Sequence, residues 1–344
     1  MAVSIITQLP KYIFSSELQI FEYRTTSTSS SVSITSDNGT VILSGTYVPD
    51  AIGVVTLFDI HRLLDNYITE CSSQFSFTIE NGAPITTIVV KSSISINESA
   101  EIFLQSFFLS PLMGDKPTTL GRFEFLSFIP TEICNVTAFC TYFKDGKISE
   151  VNKSLINNVA ISNSAMVMNV SADRFQDIGL GELIAYVINA GERKQSYTII
   201  KTLPIYEPIF QFKNCFGCWE IMYLTGVKNY EPEYRRSSAY INGKYTNYDI
   251  SETLKIKVST GILTLPIISI ANDLARSTSV YITDNKGNST DEIIIVDSET
   301  KYNNEDNSLT EFTFTYRLAS CISRKINTVH PPKLFDNKFD LTYE

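Results

Sequence analysis

Short runs of alternating apolar and polar residues, separated by turn residues, constrain the fold of this 344-residue chain more than any other feature. Residues 31–35 alternate with a period of two, and Asn38-Gly39 separates them from a second such run at 41–48. Alternation of this kind indicates half-buried strands, and Asn-Gly accepts the positive φ angles of a tight hairpin. Similar turn pairs recur at Asn81-Gly82, Asp145-Gly146 and Asn242-Gly243. Turn signals about every 8–12 residues are typical of β-sandwiches and barrels. The sequence therefore predicts an all-β fold.

The chain is too long for one hydrophobic core, so we expect two or three β-sandwich or barrel-like domains with short helices. Proline and glycine cluster at 111–117, and Pro204 and Pro208 mark a second break. These breaks delimit an N-terminal β domain with one short helix, a middle β domain, a C-terminal β domain and a C-terminal arm. The predicted boundaries are 1–112, 113–207, 208–325 and 326–344.

Two short helices interrupt the strand patterns. Apolar residues in 59–68 recur at helical spacing, and Asp59 is positioned to cap that helix. A second helix is expected over 268–276. His61 lies beside the apolar face of the first helix, so we interpret it as a surface residue.

Composition excludes several classes of function. The net charge is −9 and the pI about 5.0, which argues against a broad nucleic-acid surface. No run approaches the roughly 18 apolar residues that a membrane span requires. Residues 1–7 lack the features of a secretion signal, so we expect synthesis in the cytoplasm. Arg235-Arg236 is the only Arg-Arg pair and is interpreted as a solvated turn more readily than as an anion site.

Reactive side chains are few. The chain has six cysteines and two histidines. Cys215 and Cys218 form a C-x-x-C motif, which could be half of a zinc site or a redox pair. No second C-x-x-C follows, and the motif lies between strand-like runs and does not open a helix. We therefore expect free, mostly buried thiols and two ordinary cysteines at a turn.

No arrangement of residues indicates catalysis. The sequence shows no nucleophile elbow and no calcium loop. With only two histidines, acid–base catalysis would have to use carboxylates, and the sequence does not show which carboxylates lie close together. We accordingly predict no enzyme, no catalytic residue, no metal and no cofactor.

The most distinctive sequence segments lie in the third domain, at 213–220, 223–226, 236–248 and 259–263. Together with 45–50 and the helix after Asp59, these segments resemble those of β-rich virion structural proteins from the tail region of tailed phages and prophages of gut Bacteroidales. The resemblance implies a soluble virion component that is rich in sheet and free of disulfides. It also implies that copies of the chain assemble in a ring or tube and dock to other virion proteins.

The aromatic hairpin around Asn242-Gly243 is the candidate interface, because tyrosine contributes a large contact area with few torsions. Intrachain packing is the alternative role for this hairpin. A receptor- or glycan-binding fibre or adhesin is the alternative function, and a carbohydrate hydrolase on a β scaffold is a third class. The predicted interface residues are Tyr240, Tyr245, Tyr248, Arg235 and Arg236.

Overall fold

The computed structural model describes residues 3–206, 208–284, 287–301 and 310–320. Of these residues 54% lie in strands and 10% in helices, which confirms the predicted all-β, multidomain fold. The strand pairs of the described chain fall within three successive ranges, 3–90, 116–199 and 209–318. The predicted boundaries at 112 and 207 lie between these ranges. The predicted C-terminal arm, 326–344, lies outside the described residues.

The N-terminal domain is a sandwich of two sheets. Its strands and helices are β1 (Val3–Ile5), β2 (Tyr12–Phe14), β3 (Ile20–Thr25), β4 (Ser30–Ser36), β5 (Val41–Tyr47), β6 (Val54–Phe58), α1 (Ile60–Asp65), β7 (Ser72–Ile79), β8 (Ile85–Val90) and α2 (Ala100–Ser106). Among the described residues, one sheet has the order β1-β3-β6 and the other β2-β8-β7-β4-β5. Phe21 and Tyr23 of the first sheet share a core with Phe75 and Phe77 of the second. Alternate residues of β3, β4 and β7 are buried, as the period of two predicts.

Asp59 precedes the first helix, but its side chain makes no capping hydrogen bond, so that prediction is wrong. Asp59 has a φ of 56°, in the left-handed region, where an N-cap residue normally has extended backbone. Its carboxylate instead lies 4.0 Å from Nε of Arg62.

The middle domain packs a five-stranded sheet against a short strand pair. Its strands are β9 (Lys116–Thr118), β10 (Phe125–Phe128), β11 (Cys134–Lys144), β12 (Lys147–Val159), β13 (Met166–Asn169), β14 (Glu182–Ala190) and β15 (Arg193–Ile199). In the described chain the sheet order is β12-β11-β14-β15-β9, and β10 pairs with β13. Phe128, Tyr142 and Tyr186 are completely buried in its core. The predicted linker at 111–117 is itself packed, since Leu112 is buried in the core of the C-terminal domain and Lys116 is buried in β9.

The C-terminal domain is a single large sheet covered by a helix. Its elements are β16 (Ile209–Lys213), β17 (Trp219–Tyr223), β18 (Lys228–Ile241), β19 (Lys244–Ile262), α3 (Leu265–Arg276), β20 (Val280–Thr283), β21 (Ser289–Lys301) and β22 (Glu311–Leu318). In the described residues the order is β17-β16-β20-β21-β22-β19-β18, so β18 is an edge strand. Ile270 and Leu274 of α3 pack into the same core as Phe210 and Phe314.

A further hydrophobic cluster joins the three domains. Phe14 and Phe103 of the N-terminal part have ring centroids 5.5 Å apart, and Phe103 lies 5.3 Å from Phe216 of the C-terminal domain. Ile129 of the middle domain belongs to the same cluster. Burial of these side chains stabilises the contact between domains.

Candidate functional site

A two-stranded ribbon projects from the sheet of the C-terminal domain. Strands β18 and β19 pair from Lys228–Val258 to the turn at Asn242-Gly243. The next strand, β22, pairs with β19 only from Ile256 onward. Residues 231–255, which we call the ribbon, therefore pair only with each other within the described chain. At a rise of about 3.3 Å per residue, the segment 231–241 extends roughly 35 Å.

One face of the ribbon is aromatic. Tyr240 lies opposite Tyr245 in the register, and their ring centroids are 5.2 Å apart. Arg236 lies opposite Ile250 on the same face, because residues of a strand alternate between faces. Tyr234 also lies on this face, and the guanidinium of Arg236 lies 5.5 Å from the centre of its ring. All five side chains are exposed, including 65% of Tyr240 and 78% of Tyr245.

The opposite face of the ribbon is polar and internally paired. Glu233 lies 3.6 Å from Nε of Arg235 and 2.8 Å from Nζ of Lys255. Hydrogen bonding and charge from Lys255 lower the pKa of Glu233, so its carboxylate is ionised at neutral pH. This face is typical of a solvated surface, whereas the aromatic face is not.

The structure divides the five predicted interface residues between these faces. Tyr240, Tyr245 and Arg236 lie on the aromatic face, where the two tyrosines are in contact, whereas Arg235 lies on the polar face. Tyr248 is the extra residue at a β-bulge opposite Ser237 and Ser238. Sequence reasoning missed Tyr234 and Ile250. The spacing of Tyr234, Arg236 and Tyr240 by even numbers would have placed them on one face of a strand.

An open groove of about 1010 Å³ lies in the N-terminal domain. Val3 and Ile5 of the edge strand β1 form part of its wall, and both side chains are partly exposed. Glu80 lies in the groove and accepts hydrogen bonds from Thr25 and Ser27 at 3.1 and 3.0 Å. Although desolvation opposes them, these hydrogen bonds lower the pKa of Glu80. We call this feature the N-terminal groove. Its lining is completed by small polar and apolar residues: Ser27, Thr28, Ser29, Ser31, Thr46, Ile79, Asn81, Gly82, Ala83 and Ile85.

A buried ionic cluster lies where the middle and C-terminal domains meet. Nζ of Lys116 is 2.6 Å from Glu124 and 3.5 Å from Glu220, and all three side chains are almost fully buried. Burial raises the pKa of Glu220. Burial opposes ionisation of Lys116 as well, but the two carboxylates raise its pKa above the ordinary value. Lys116 is therefore charged at neutral pH.

The polar atoms of this cluster are largely occupied by protein partners. Ser110 donates to Glu220 at 3.1 Å, and Thr118 donates to Glu124 at 2.8 Å. The adjoining cavity has a volume of only about 150 Å³ and is lined mainly by aliphatic side chains. A general acid or base must reach a substrate proton, and these carboxylates are engaged with Lys116 and the hydroxyls instead. The cluster is therefore better suited to stabilising the contact between the two domains than to catalysis.

A disulfide links the N-terminal and C-terminal domains. Cys71 and Cys218 are bonded, with Cα atoms 5.7 Å apart and a sequence separation of 147. The predictions of free thiols and of two ordinary cysteines at a turn are therefore wrong at this pair. Cys134, Cys140 and Cys215 are free and buried, as expected. Sequence could not pair Cys71 with Cys218, because only the packing of the two domains brings them together.

Glycine is required beside this bond. Gly217 has a φ of 75°, and a Cβ there would lie 2.9 Å from the carbonyl oxygen of Glu70. The C-x-x-C turn consequently lies directly against the segment that carries Cys71.

Across the described ranges, no group of three or more His, Cys, Asp or Glu side chains could hold a metal ion. The same part of the chain contains no helix with the length and apolar character needed to cross a membrane. No family model matches the chain, and no curated protein is significantly similar to it. The candidate site is thus defined by geometry alone.

Proposed function

We propose that this chain is a structural component of a tailed phage particle, in the tail, neck or baseplate region. It acts by symmetric self-assembly and by docking to neighbouring virion proteins. The aromatic face of the ribbon is the observation that carries this proposal. Two-stranded ribbons are at best marginally stable in water, and exposed aromatic patches are typical of protein interfaces. A contact on this face would stabilise the ribbon and bury its tyrosines.

The edge of the ribbon is less suited to this contact than its face. Pro232 lies in the edge strand β18, and charged residues flank it at Glu231 and Glu233. Proline and charge on an edge strand are features that prevent strand addition. Side-chain packing on the aromatic face is therefore the expected mode of association.

A receptor- or glycan-binding fibre is the alternative. The N-terminal groove favours it, because its size and its hydroxyl groups suit a polar ligand. However, no aromatic residue is among the described residues that line the groove. The stacking platform expected for a sugar is thus lacking from that part of the site.

The proposal is tested by the mass of the purified full-length chain in solution, measured by sedimentation and light scattering over a range of concentrations. We expect oligomers whose association weakens at least tenfold in a Y240S/Y245S variant. The matched control is Y206S/F58S, which removes two exposed aromatic rings outside the ribbon. A wild-type chain that remains monomeric at every concentration would contradict self-assembly.

Position in a particle is tested separately, by imaging intact particles and by mass spectrometry of purified ones. Repeated copies of the chain in the tail region are expected. Glycan binding by a monomeric chain, with no copies in particles, would favour the alternative function.

A further inference from the structure

We propose that the ribbon of one copy docks in the N-terminal groove of a second copy. This inference rests on the proposed self-assembly and specifies its partner surfaces. The ribbon and the groove are different surfaces, so the contact would be heterologous. A heterologous contact that closes by rotation builds a ring, and one that does not close builds a filament.

Charge favours this pairing. Residues 235–248, which we call the ribbon tip, contain Arg235, Arg236 and Lys244 but no acidic residue. The N-terminal domain, 1–112, contains ten acidic and four basic residues, a net charge of −6. It thus carries most of the net charge of −9 of the whole chain. Opposite charges on two surfaces steer association and disfavour contact between like surfaces. The tip itself has no acidic residue that could pair with the basic residues of a second tip.

The side chains of the two surfaces also match in kind. The tip offers tyrosine rings with hydroxyl ends, and the groove offers exposed aliphatic groups at Val3 and Ile5. Hydroxyls of the groove can accept hydrogen bonds from arginine, and Glu80 supplies an ionised carboxylate. Its volume of about 1010 Å³ has room for about thirty water molecules, which the tip side chains would displace.

The reach of the ribbon makes contact with another copy possible. The tip lies at the far end of a projection of roughly 35 Å, well beyond the last residues that pair with β22. The turn itself is built for exposure, since Asn242 and Gly243 have φ angles of 51° and 80° and nothing lies within 4 Å of a Cβ placed on Gly243.

Two single-surface variants of the full chain test the pairing. Y240S/Y245S removes the tip rings, and A83R fills the groove with a bulky cation. The control for A83R is A51R, because Ala51 is an exposed residue of the same domain outside the groove and the charge change is the same. We expect A83R, but not A51R, to weaken self-association at least tenfold.

Mixing the two defective chains distinguishes a heterologous contact from a symmetric one. A chain with an intact tip and a blocked groove should pair with a chain that has a defective tip and an intact groove. We expect a 1:1 complex in the mixture, because the remaining tip and groove are both defective and cannot add a further copy. A photo-crosslinker at position 245 of the A83R chain should then join residues 27–31 or 79–85 of the Y240S/Y245S chain.

The outcomes separate the two proposals. If the tip variant abolishes assembly but A83R does not, or if cross-links join one ribbon to another, the groove is not the partner and self-assembly through the ribbon stands. If neither variant changes the mass of an oligomer, neither the ribbon nor the groove is the assembly surface, so the pairing and assembly through the ribbon both fail. Circular dichroism of A83R tests whether that variant is folded. If it is not, cross-linking from position 245 of an otherwise wild-type chain identifies the partner surface without A83R.

Discussion

Nζ of Lys116 lies 2.6 Å from Oε2 of Glu124, and only 8% and 2% of these two side chains are exposed. Lys116 belongs to β9 of the middle domain, and it also faces Glu220 of β17 in the C-terminal domain. One buried cation therefore serves two carboxylates from different parts of the chain. Its removal would leave both carboxylates buried without their shared counter-ion.

Replacing Lys116 with methionine should lower the free energy of unfolding by about 3–5 kcal/mol, because buried charges lose their partner. The control is Lys201→Met, which breaks the pair of Lys201 with Glu182 at 2.5 Å on the exposed surface. That change should cost less than about 1 kcal/mol, because solvent screens the pair. Urea unfolding measures both values, and equal costs would contradict the assigned burial.

Glu220 should make stability depend on pH. Because burial raises its pKa in the folded protein, the folded state binds a proton more tightly than the unfolded state. The stabilisation is fully present below the ordinary pKa near 4.5 and is lost as the pH rises through the raised folded value. The stability of Glu220→Gln minus that of the wild type should therefore increase from pH 4 to neutrality. Thermal melting of both proteins at several pH values measures this difference. A difference in stability that stays constant across the range would refute the raised pKa of Glu220.

The disulfide should be detectable by peptide mapping without reductant, as a peptide pair that contains Cys71 and Cys218. Cys218→Ser should lower the free energy of unfolding by about 2–4 kcal/mol under oxidising conditions, because the unfolded chain gains freedom. Reductant should lower the free energy of unfolding of the wild type. It should leave that of the variant unchanged, because the variant has no Cys71–Cys218 bond to reduce. A wild-type protein whose stability is insensitive to reductant would argue against the link.

Arg193, the first residue of β15, is a buried cation. Its side chain is fully buried and donates hydrogen bonds to the carbonyl groups of Ala190, Leu104 and Ile129. Arg193→Leu should cost roughly 3 kcal/mol or more, because several charge-assisted hydrogen bonds are lost and their acceptors stay buried. The adjacent Lys194 is exposed, so Lys194→Leu should change stability by less than about 0.5 kcal/mol. Chemical denaturation of both variants checks the contrast.

Self-assembly through the ribbon should weaken with salt. The Debye length falls from about 10 Å at 0.1 M to about 3 Å at 1 M ionic strength, so attraction between the basic tip and the acidic N-terminal domain is screened. Sedimentation between these concentrations should show a progressive loss of oligomer. Association that strengthens with salt would indicate a contact dominated by apolar burial and would contradict the charge argument.

Local patterns predicted the strands and their turns. Asn242-Gly243 and Asp145-Gly146 both occupy hairpin turns with positive φ, as their residue types require. The helix at 59–68 was found, although it is shorter, at Ile60–Asp65. Alternation within a strand depends only on neighbouring residues, so these features follow from the sequence without knowledge of the fold.

The class of fold, the hairpins and the run of tyrosines around Asn242 follow from the local residue pattern. The exposure of the face that carries Tyr234, Arg236 and Tyr240, and the meeting of Cys71 with Cys218, depend instead on how the domains pack. The burial of the Lys116 cation, at a position predicted to be a linker, depends on that packing as well. Contacts between residues a hundred or more positions apart form only when the domains pack, whereas the period of a strand is fixed by the geometry of its own backbone.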